Sequence, residues 1–447
     1  MPSSDYLFHK WGAGVGPDLP RIERAYDEFL VTDEGEELVD AAAGAAVANL
    51  GHSVPGVADA IAEQADRVSY LSLSHFTHPA AEALADRLAD LAPADLDTTF
   101  LVGSGSEATE AAFKLAHAYH RSRGAPTKHK VVSRWQAYHG STLGALAASG
   151  NTARRAPFDP MLPDWPHIGP AYPYRWGYEG TPEEQARAAA RELETTIRQE
   201  GSETVAAFVA EPVGGASIPA ARPHPAYYEE VRRICDEYDV VFIADEVMTG
   251  FGRTGAMFAV EHYGVVPDLL VVGKGLSAGY APISAVLVHD RVAEPFHADG
   301  EGSFPHGHTY AGNPVATAVA GHVVGRYTPE LLSTARARGE TIRGELEPLE
   351  GHPMVGEVRH VGAMLGIEFV ADRETKEPFD PDSEVYHRVY EAAMERGVYT
   401  YPGRGCADGV AGDHLLLAPP LNVPETSAER IGRVVVESVE AVAEDVL

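Results

Sequence analysis

Lysine is scarce in this chain: six lysines stand against 29 arginines, and only Lys274 falls between Lys130 and Lys376. Cysteine is rarer, with Cys235 and Cys406 alone. Two thiols cannot build a disulfide framework, nor a zinc site unaided, and no metal site is expected. Cys235 lies in an amphipathic helical pattern, which predicts a core thiol. No run of about 18 apolar residues is present, as a membrane-spanning helix would require. The opening Met1-Pro-Ser-Ser-Asp-Tyr6 lacks the basic-then-apolar pattern of a secretory leader, so a cytoplasmic protein is expected. Positive charge is also in deficit, with 35 basic against 66 acidic residues and a net charge of −31. A surface of that sign repels nucleic acid and anionic membranes.

The acids are spread along the chain rather than gathered in a tail. Few lysines with abundant Asp, Glu, Ala and Arg resemble the proteins of salt-loving archaea, where salt screens self-repulsion. The 447 residues exceed the roughly 250–300 at which single cores stop growing, so two lobes are expected. Residues 1–40 read as irregular, apart from a hairpin in which Ala25–Val31 and Glu37–Asp40 flank Thr32–Glu36. From about 55 to 330, helical stretches alternate with the apolar runs Thr98–Val102, Lys130–Ser133, Thr204–Val209, Val240–Ala244 and Leu269–Val272. That spacing predicts βαβ units and a mostly parallel sheet covered on both faces. The Pro- and aromatic-rich residues 151–182 read as a long ordered loop that could wall a pocket. Beyond about 330, helices alternate with short strands near Val355–Phe369 and Asp413–Ala418, the pattern of a smaller α+β lobe.

Lys274 closes the run Asp268-Leu-Leu-Val-Val-Gly273, and 29 residues earlier the run Val240–Ala244 delivers Asp245 and Glu246. An amine and a carboxylate at the tips of buried strands suit pyridoxal phosphate. The amine forms a Schiff base with its aldehyde, and the acid holds its pyridinium proton. The same residues also read as a surface lysine and a strand-end acid capping the next turn. Gly103-Ser-Gly-Ser-Glu-Ala108 follows a strand and opens a helix, where small residues admit backbone N–H groups to a phosphate. Gly105 and Ser106 are best placed for that, although an ordinary N-cap at Ser104 or Ser106 explains the string as well. Trp135-Gln-Ala-Tyr-His-Gly140 offers Tyr138 as a stacking partner for a flat ring, or as a core tyrosine. His139 could support the base or fill the interior. A phosphate loop, an aromatic turn, an acid and a lysine at strand ends in one domain point to a single site, since open α/β sheets bind ligands there.

With these strings in hand, the chain resembles the class III, pyridoxal-phosphate-dependent aminotransferases of the omega-transaminase type. The resemblance rests on Gly105-Ser-Glu-Ala108, Tyr138-His-Gly140, Glu211-Pro-Val213, Ala244-Asp-Glu-Val247, Gly250-Phe-Gly-Arg-Thr-Gly255, Gly273-Lys-Gly275, His308-Thr-Tyr310 with Gly312-Asn-Pro314, and Ala418-Pro-Pro-Leu421. Asn49-Leu-Gly-His52 and Gly362-Ala-Met-Leu-Gly-Ile-Glu368 extend it over nearly the whole chain. It implies fold type I: a large domain, 55–330, with a mostly parallel seven-stranded sheet, and a small α+β domain, 331–447. The N-terminal segment, 1–54, would join the small domain and the dimer interface. Lys274 would be the Schiff-base lysine and proton shuttle, and Asp245 the partner of the pyridinium nitrogen. Val247 and Tyr138 would sandwich the ring, Gly105 and Ser106 would hold the phosphate, and His139, Gly140 and Glu211 would complete the pocket. Thr309 would reach the phosphate from the neighbouring subunit, making a homodimer with shared active sites, or a tetramer built from it. The implied reaction moves an amino group from a primary amine or omega-amino acid to a keto acid, with pyruvate expected.

Three departures bear on the substrate. Met248 stands where many glutamate- or ornithine-using relatives carry Gln. Ala46 stands where many amine:pyruvate transaminases carry Trp, which predicts room for bulkier amines. Gly409 aligns with the family's mobile carboxylate-binding arginine, and Arg404 is the substitute the sequence offers. A decarboxylase or aminomutase of the same fold would use the same cofactor residues. A nicotinamide oxidoreductase, a more distant reading, lacks the third glycine of its fingerprint.

Overall fold

The computed structural model describes residues 7–9, 14–15, 19–297, 300 and 302–446. Met1–Tyr6, the stretch read for a leader pattern, lies outside them. The large lobe is built on seven strands in the spatial order Thr98–Val102, Ser284–Val288, Leu269–Val272, Val241–Asp245, Val205–Ala210, Lys130–Arg134 and His167–Ile168. Ser284–Val288 runs antiparallel to both neighbours, and the remaining pairings are parallel. Every residue of Val205–Ala210 and of Val241–Asp245 is buried, which is why these strands read as unbroken apolar runs. Successive side chains alternate between two cores: Phe208, Phe242 and Ala244 pack on one face, Val209, Val241 and Ile243 on the other.

The covering helices carry their own start signals. Thr181 and Glu184 form a reciprocal capping box ahead of Pro182–Glu200, with proline in the first turn. Ser104 caps Gly105–Ser122, its Oγ accepting from Glu107 N at 3.3 Å. Glu107 answers by accepting from Gly103 N at 2.7 Å. Cys235 is fully buried in Ala226–Glu237, and burial pushes its thiol up to about 12.

Three expectations are corrected. Ala25–Val31 is not one strand: Ile22–Tyr26 turns at Asp27, with φ at +45°, into Phe29–Thr32. Asp27 is held in that turn by an antiparallel bridge to His52. Residues 21–40 are also less irregular than expected, because Glu37–Asp40 pairs in parallel with the distant Val398–Tyr399 to complete a four-stranded sheet. The stretch 151–182 is not simply a loop. It contains a helical turn, Thr152–Arg155, a 3-10 segment, Ala156–Met161, and the edge strand His167–Ile168.

The C-terminal lobe is an antiparallel sheet ordered Val355–Val361, Met364–Phe369, Asp413–Leu417, Tyr401–Gly403. Helices Pro329–Glu345, Val385–Glu395 and Glu425–Val446 share its apolar core. Among the described residues no helix is long and apolar enough to cross a membrane.

Candidate active site

Five parallel or flanking strands end at one edge of the large sheet, where Gly103, Trp135, Glu211, Glu246 and Gly273 begin the outgoing loops. Lys274 leaves its strand in the left-handed region, with φ at +42°. Such a conformation costs a non-glycine residue about 1–3 kcal/mol and is found where surrounding packing enforces it. A side chain on Gly273 would place its Cβ 2.5 Å from Ser284 Oγ, so the chain passes the neighbouring strand closely before the lysine. Burial lowers the Lys274 amine to about 8; Asp245 and Glu211 oppose the drop, while Arg154 and Arg253 add to it.

Asp245 is the last residue of its strand and faces the same cavity. Its Oδ2 lies 2.7 Å from His139 Nδ1, and its Oδ1 accepts from Val247 N at 3.0 Å. His139 is held in turn by its backbone N–H, which donates to Ser149 Oγ at 2.8 Å. The neighbouring Glu246 points away. Its carboxylate takes donors from Thr249 Oγ1, Ala259 N and Val260 N, tying down the segment behind the strand. Glu211 caps the adjacent strand and accepts from Tyr138 N at 3.3 Å and Gly215 N at 3.0 Å. Burial raises its pKa and Asp245 adds to the rise, against the pull of His139 and Arg134.

Lys274, Asp245 and Glu211 line a cavity of about 210 Å³ whose other walls are Ser104–Ser106, Tyr138–Gly140, Ala216, Val247 and Met248. Two glycines make the anion end possible. A Cβ on Gly105 would sit 3.1 Å from Val247 Cγ1, and one on Gly140, at φ +138°, would sit 2.6 Å from Ser106 Oγ. Ser106 Oγ accepts from Ser141 N at 3.0 Å, so its own hydroxyl proton can be donated to an anion at the start of Gly105–Ser122. Tyr138 keeps its phenol 2.9 Å from Ser141 Oγ, and the Arg154 guanidinium lies 4.4 Å from its ring centroid. The assembled groups could hold a phosphate at the helix start and a flat ring between Tyr138 and Val247. They also set an acid, Asp245, and an amine, Lys274, in the same cavity.

The remaining sequence candidates lie elsewhere. Ala46 is buried in an apolar cluster with Val213, Ala216 and Met248; only the last two of these line the cavity. Thr309 is exposed and does not line its own chain's cavity. Arg404 is exposed too and does not line the cavity. Arg154, which the sequence does not single out, lies over the ring of Tyr138 beside the cavity. Its signal was faint: a cation following the Asn151 cap, in a chain short of positive charge. The Gly250–Gly255 string is not part of the cavity wall. Its fully buried Arg253 donates to Asn49 Oδ1, Ala363 O and Pro419 O, joining three distant segments behind the site.

Residues 13–433 match the family Aminotransferase class-III. The aminotransferase YodT of Bacillus subtilis is 40% identical over 435 residues, covering 96% of this chain and 97% of that protein. The putrescine–pyruvate aminotransferase of Pseudomonas aeruginosa is 34% identical over 414 residues, covering 92% and 88%. Among solved structures, a thermostable (S)-enantioselective omega-transaminase from Thermomicrobium roseum superposes with a TM-score of 0.88 at 37% identity, covering 97% and 93%. The omega transaminase of Pseudomonas jessenii in complex with PMP gives 0.88 at 33%, covering 96% and 94%. The chain belongs to the class III aminotransferases, pyridoxal-phosphate-dependent transferases of fold type I.

Proposed function

We propose that the chain transfers an amino group from a primary amine or omega-amino acid to a keto acid, pyruvate foremost, in two alternating half-reactions. The observation that carries this reading is Lys274: an amine lowered to about 8, in one cavity with the His139-backed carboxylate of Asp245. The kinship to a putrescine–pyruvate aminotransferase supports the choice of acceptor.

Pyridoxal phosphate supplies, when bound, an aldehyde carbon for amine attachment and a ring that takes up the electron pair released at the substrate carbon. Lys274 Nζ would hold that aldehyde between turnovers and, when free, would carry a proton at the substrate carbon, a task its lowered pKa suits. Asp245, fixed by His139 and Val247 N, keeps a proton on the ring nitrogen by a charge-assisted hydrogen bond. Tyr138 and Val247 would orient the ring, while Gly105, Ser106 and Gly140 would take the phosphate. Glu211, in the same cavity as Asp245, would stand beside the substrate.

In this reading Thr309 serves the phosphate of a second copy. Its exposure supports that, as does its exposed apolar neighbour: Tyr310, 67% exposed, makes an edge contact with Tyr70. The division into 1–54, 55–330 and 331–447 belongs to the same proposal, and the pairing of Glu37–Asp40 with Val398–Tyr399 supports joining the first part to the last. The charge of −31 supports a salt-adapted, halophilic protein.

The test is spectroscopic. The purified protein should show a visible absorbance band that bleaches on adding amine and returns on adding pyruvate. A colourless protein, or one whose Lys274→Ala variant still forms a reducible covalent link, overturns the proposal. Carbon dioxide release, or turnover without an acceptor, would replace it with the decarboxylase or aminomutase reading.

A further inference from the structure

We propose that His414 is a positioning residue that sets how bulky an amine the site accepts, acting through the Ala216 wall of the cavity. The inference rests on the transaminase reading above. In Asp413–Leu417 successive side chains alternate between two faces, and every residue is buried. Leu415 and Leu417 enter the core of the small lobe, while Leu416 packs with Val213, Ala216 and Met248 on the side of the large lobe. His414 shares the face of Leu416, and its Nε2 lies 3.1 Å from Ala216 O. A carbonyl oxygen only accepts, so Nε2 carries the hydrogen and donates it. Burial brings the imidazole down to about 4, so it stays neutral near neutral pH.

The loop that carries Ala216 closes its own neck but takes the support of its tip from other segments. Gly214 N donates to Ala221 O at 2.8 Å, and Ala220 N to Gly214 O at 2.9 Å. Beyond that neck, Asn151 Nδ2 reaches Ser217 Oγ at 3.2 Å and Arg359 Nε reaches Pro219 O at 2.7 Å. Neither Ser217 nor Pro219 lines the cavity, whereas Ala216 does. Ala216 is held from two directions. Its carbonyl accepts from His414, and the N–H of its neighbour Gly215 donates to Glu211 Oε1 at 3.0 Å. The wall therefore stands between a carboxylate of the cavity and a histidine of the small lobe. Two glycines leave room for this. A Cβ on Gly403, which pairs with His414 across the sheet, would lie 2.3 Å from Nε2, and one on Gly215 would lie 2.5 Å from Glu211 Oε1.

In a cavity of about 210 Å³, a small displacement of one wall alters which side chains fit. Without the His414 donor, Ala216 O would be a buried acceptor that has lost its partner, and the tip of the loop would be free to yield. Yielding there favours a bulky donor over a slender one. The groups that would hold the cofactor, Asp245, Ser106 and Gly140, lie on other segments.

The experiment follows the amine half-reaction of the holoenzyme as bleaching of its visible band. Butylamine is the slender donor and naphthylmethylamine the bulky one. His414→Leu, which keeps the bulk and loses the hydrogen-bond donor, should shift the ratio of the two second-order rate constants toward the bulky amine by about fivefold or more. His414→Gln restores a donor and should bring the ratio back to within about twofold of the parent's. Gly403→Ala, which crowds the ring but leaves it in place, should shift the ratio in the same direction. In an Ala216→Gly background, His414→Leu should move the ratio by less than about twofold, because the wall it acts through is gone. An unmoved ratio in His414→Leu, with both rate constants falling together, would assign the residue to stability alone and overturn the inference. A full shift that persists in the Ala216→Gly background would overturn it as well. If His414→Leu does not fold, Gly403→Ala decides: an unmoved ratio overturns the inference, and a shift that the Ala216→Gly background abolishes supports it. All of these results leave the transaminase reading standing, whereas a parent band that no amine bleaches would remove that reading and this one with it.

Discussion

Replacing Arg253 with methionine would remove a fully buried cation that, among the described residues, forms no ion pair. Its hydrogen bonds run to Ala363 O at 3.1 Å, Pro419 O at 2.5 Å and Asn49 Oδ1 at 2.8 Å. Hydrogen bonds from a charged donor contribute about 1.5–3 kcal/mol each, so the three together represent about 4.5–9 kcal/mol. Against this stands the cost of burying the charge, which brings the guanidinium from 12.5 down to about 10 and returns about 3 kcal/mol when the charge is removed. The net expectation is a loss of about 2–6 kcal/mol, read as a lower midpoint in urea unfolding followed by tryptophan fluorescence. Arg253→Lys keeps the charge but loses the fork, and should fall between the two. A methionine variant that unfolds within about 0.5 kcal/mol of the parent would refute the reasoning. It would mean that backbone pairing, and not this side chain, joins Asn49, Ala363 and Pro419.

Three further outcomes follow from the geometry. In cofactor-free protein, capture of pyridoxal phosphate should quicken as pH rises through about 8 and level off above it, because the neutral Lys274 amine is the reacting form and burial brings its pKa down to about 8; stopped-flow absorbance that keeps climbing beyond pH 10 would count against the buried-amine picture. Gly140→Ala puts a Cβ 2.6 Å from Ser106 Oγ and 2.8 Å from Ala145 Cβ at a φ of +138°, so cofactor affinity measured by fluorescence titration should fall at least about tenfold. With a net charge of −31, thermal stability should rise steeply from 0.1 M salt, where screening reaches about 10 Å, toward 1 M, where it reaches about 3 Å; a melting temperature indifferent to salt would set aside the salt-adapted reading.

What could be read from the residues, and what could not, follows from how local each signal is. Strands buried on both faces announce themselves, so Val205–Ala210, Val241–Asp245 and Leu269–Val272 were legible as apolar runs, and with them the edge carrying Asp245 and Lys274. The direction of Ser284–Val288 was not legible, because its antiparallel pairing depends on which strands flank it and not on its own composition. Val398–Tyr399 is two residues long, and its partner, Glu37–Asp40, lies at the other end of the sequence. Asp27, where the hairpin breaks, is likewise bridged to His52, a residue outside it.

The site divides along the same line. Lys274, Asp245, Tyr138 and Ser106 sit where strands end, and strand ends can be found by pattern. Arg154 sits in a turn of a proline-rich stretch, and only folding sets its guanidinium over Tyr138, sixteen residues back. Arg404 shows the converse: a suitable residue type at a suitable place in the sequence, exposed and outside the cavity wall. Gly409 connects the two cases. The absence of a side chain there reads in the sequence as a missing arginine; in the structure it is the space that lets the loop rest on Thr152, in the turn that also carries Arg154. Residues at the tips of strands are fixed by the sheet and can be read in one dimension. Residues on loops, such as Arg154 and Arg404, take their surroundings from what the fold sets opposite them.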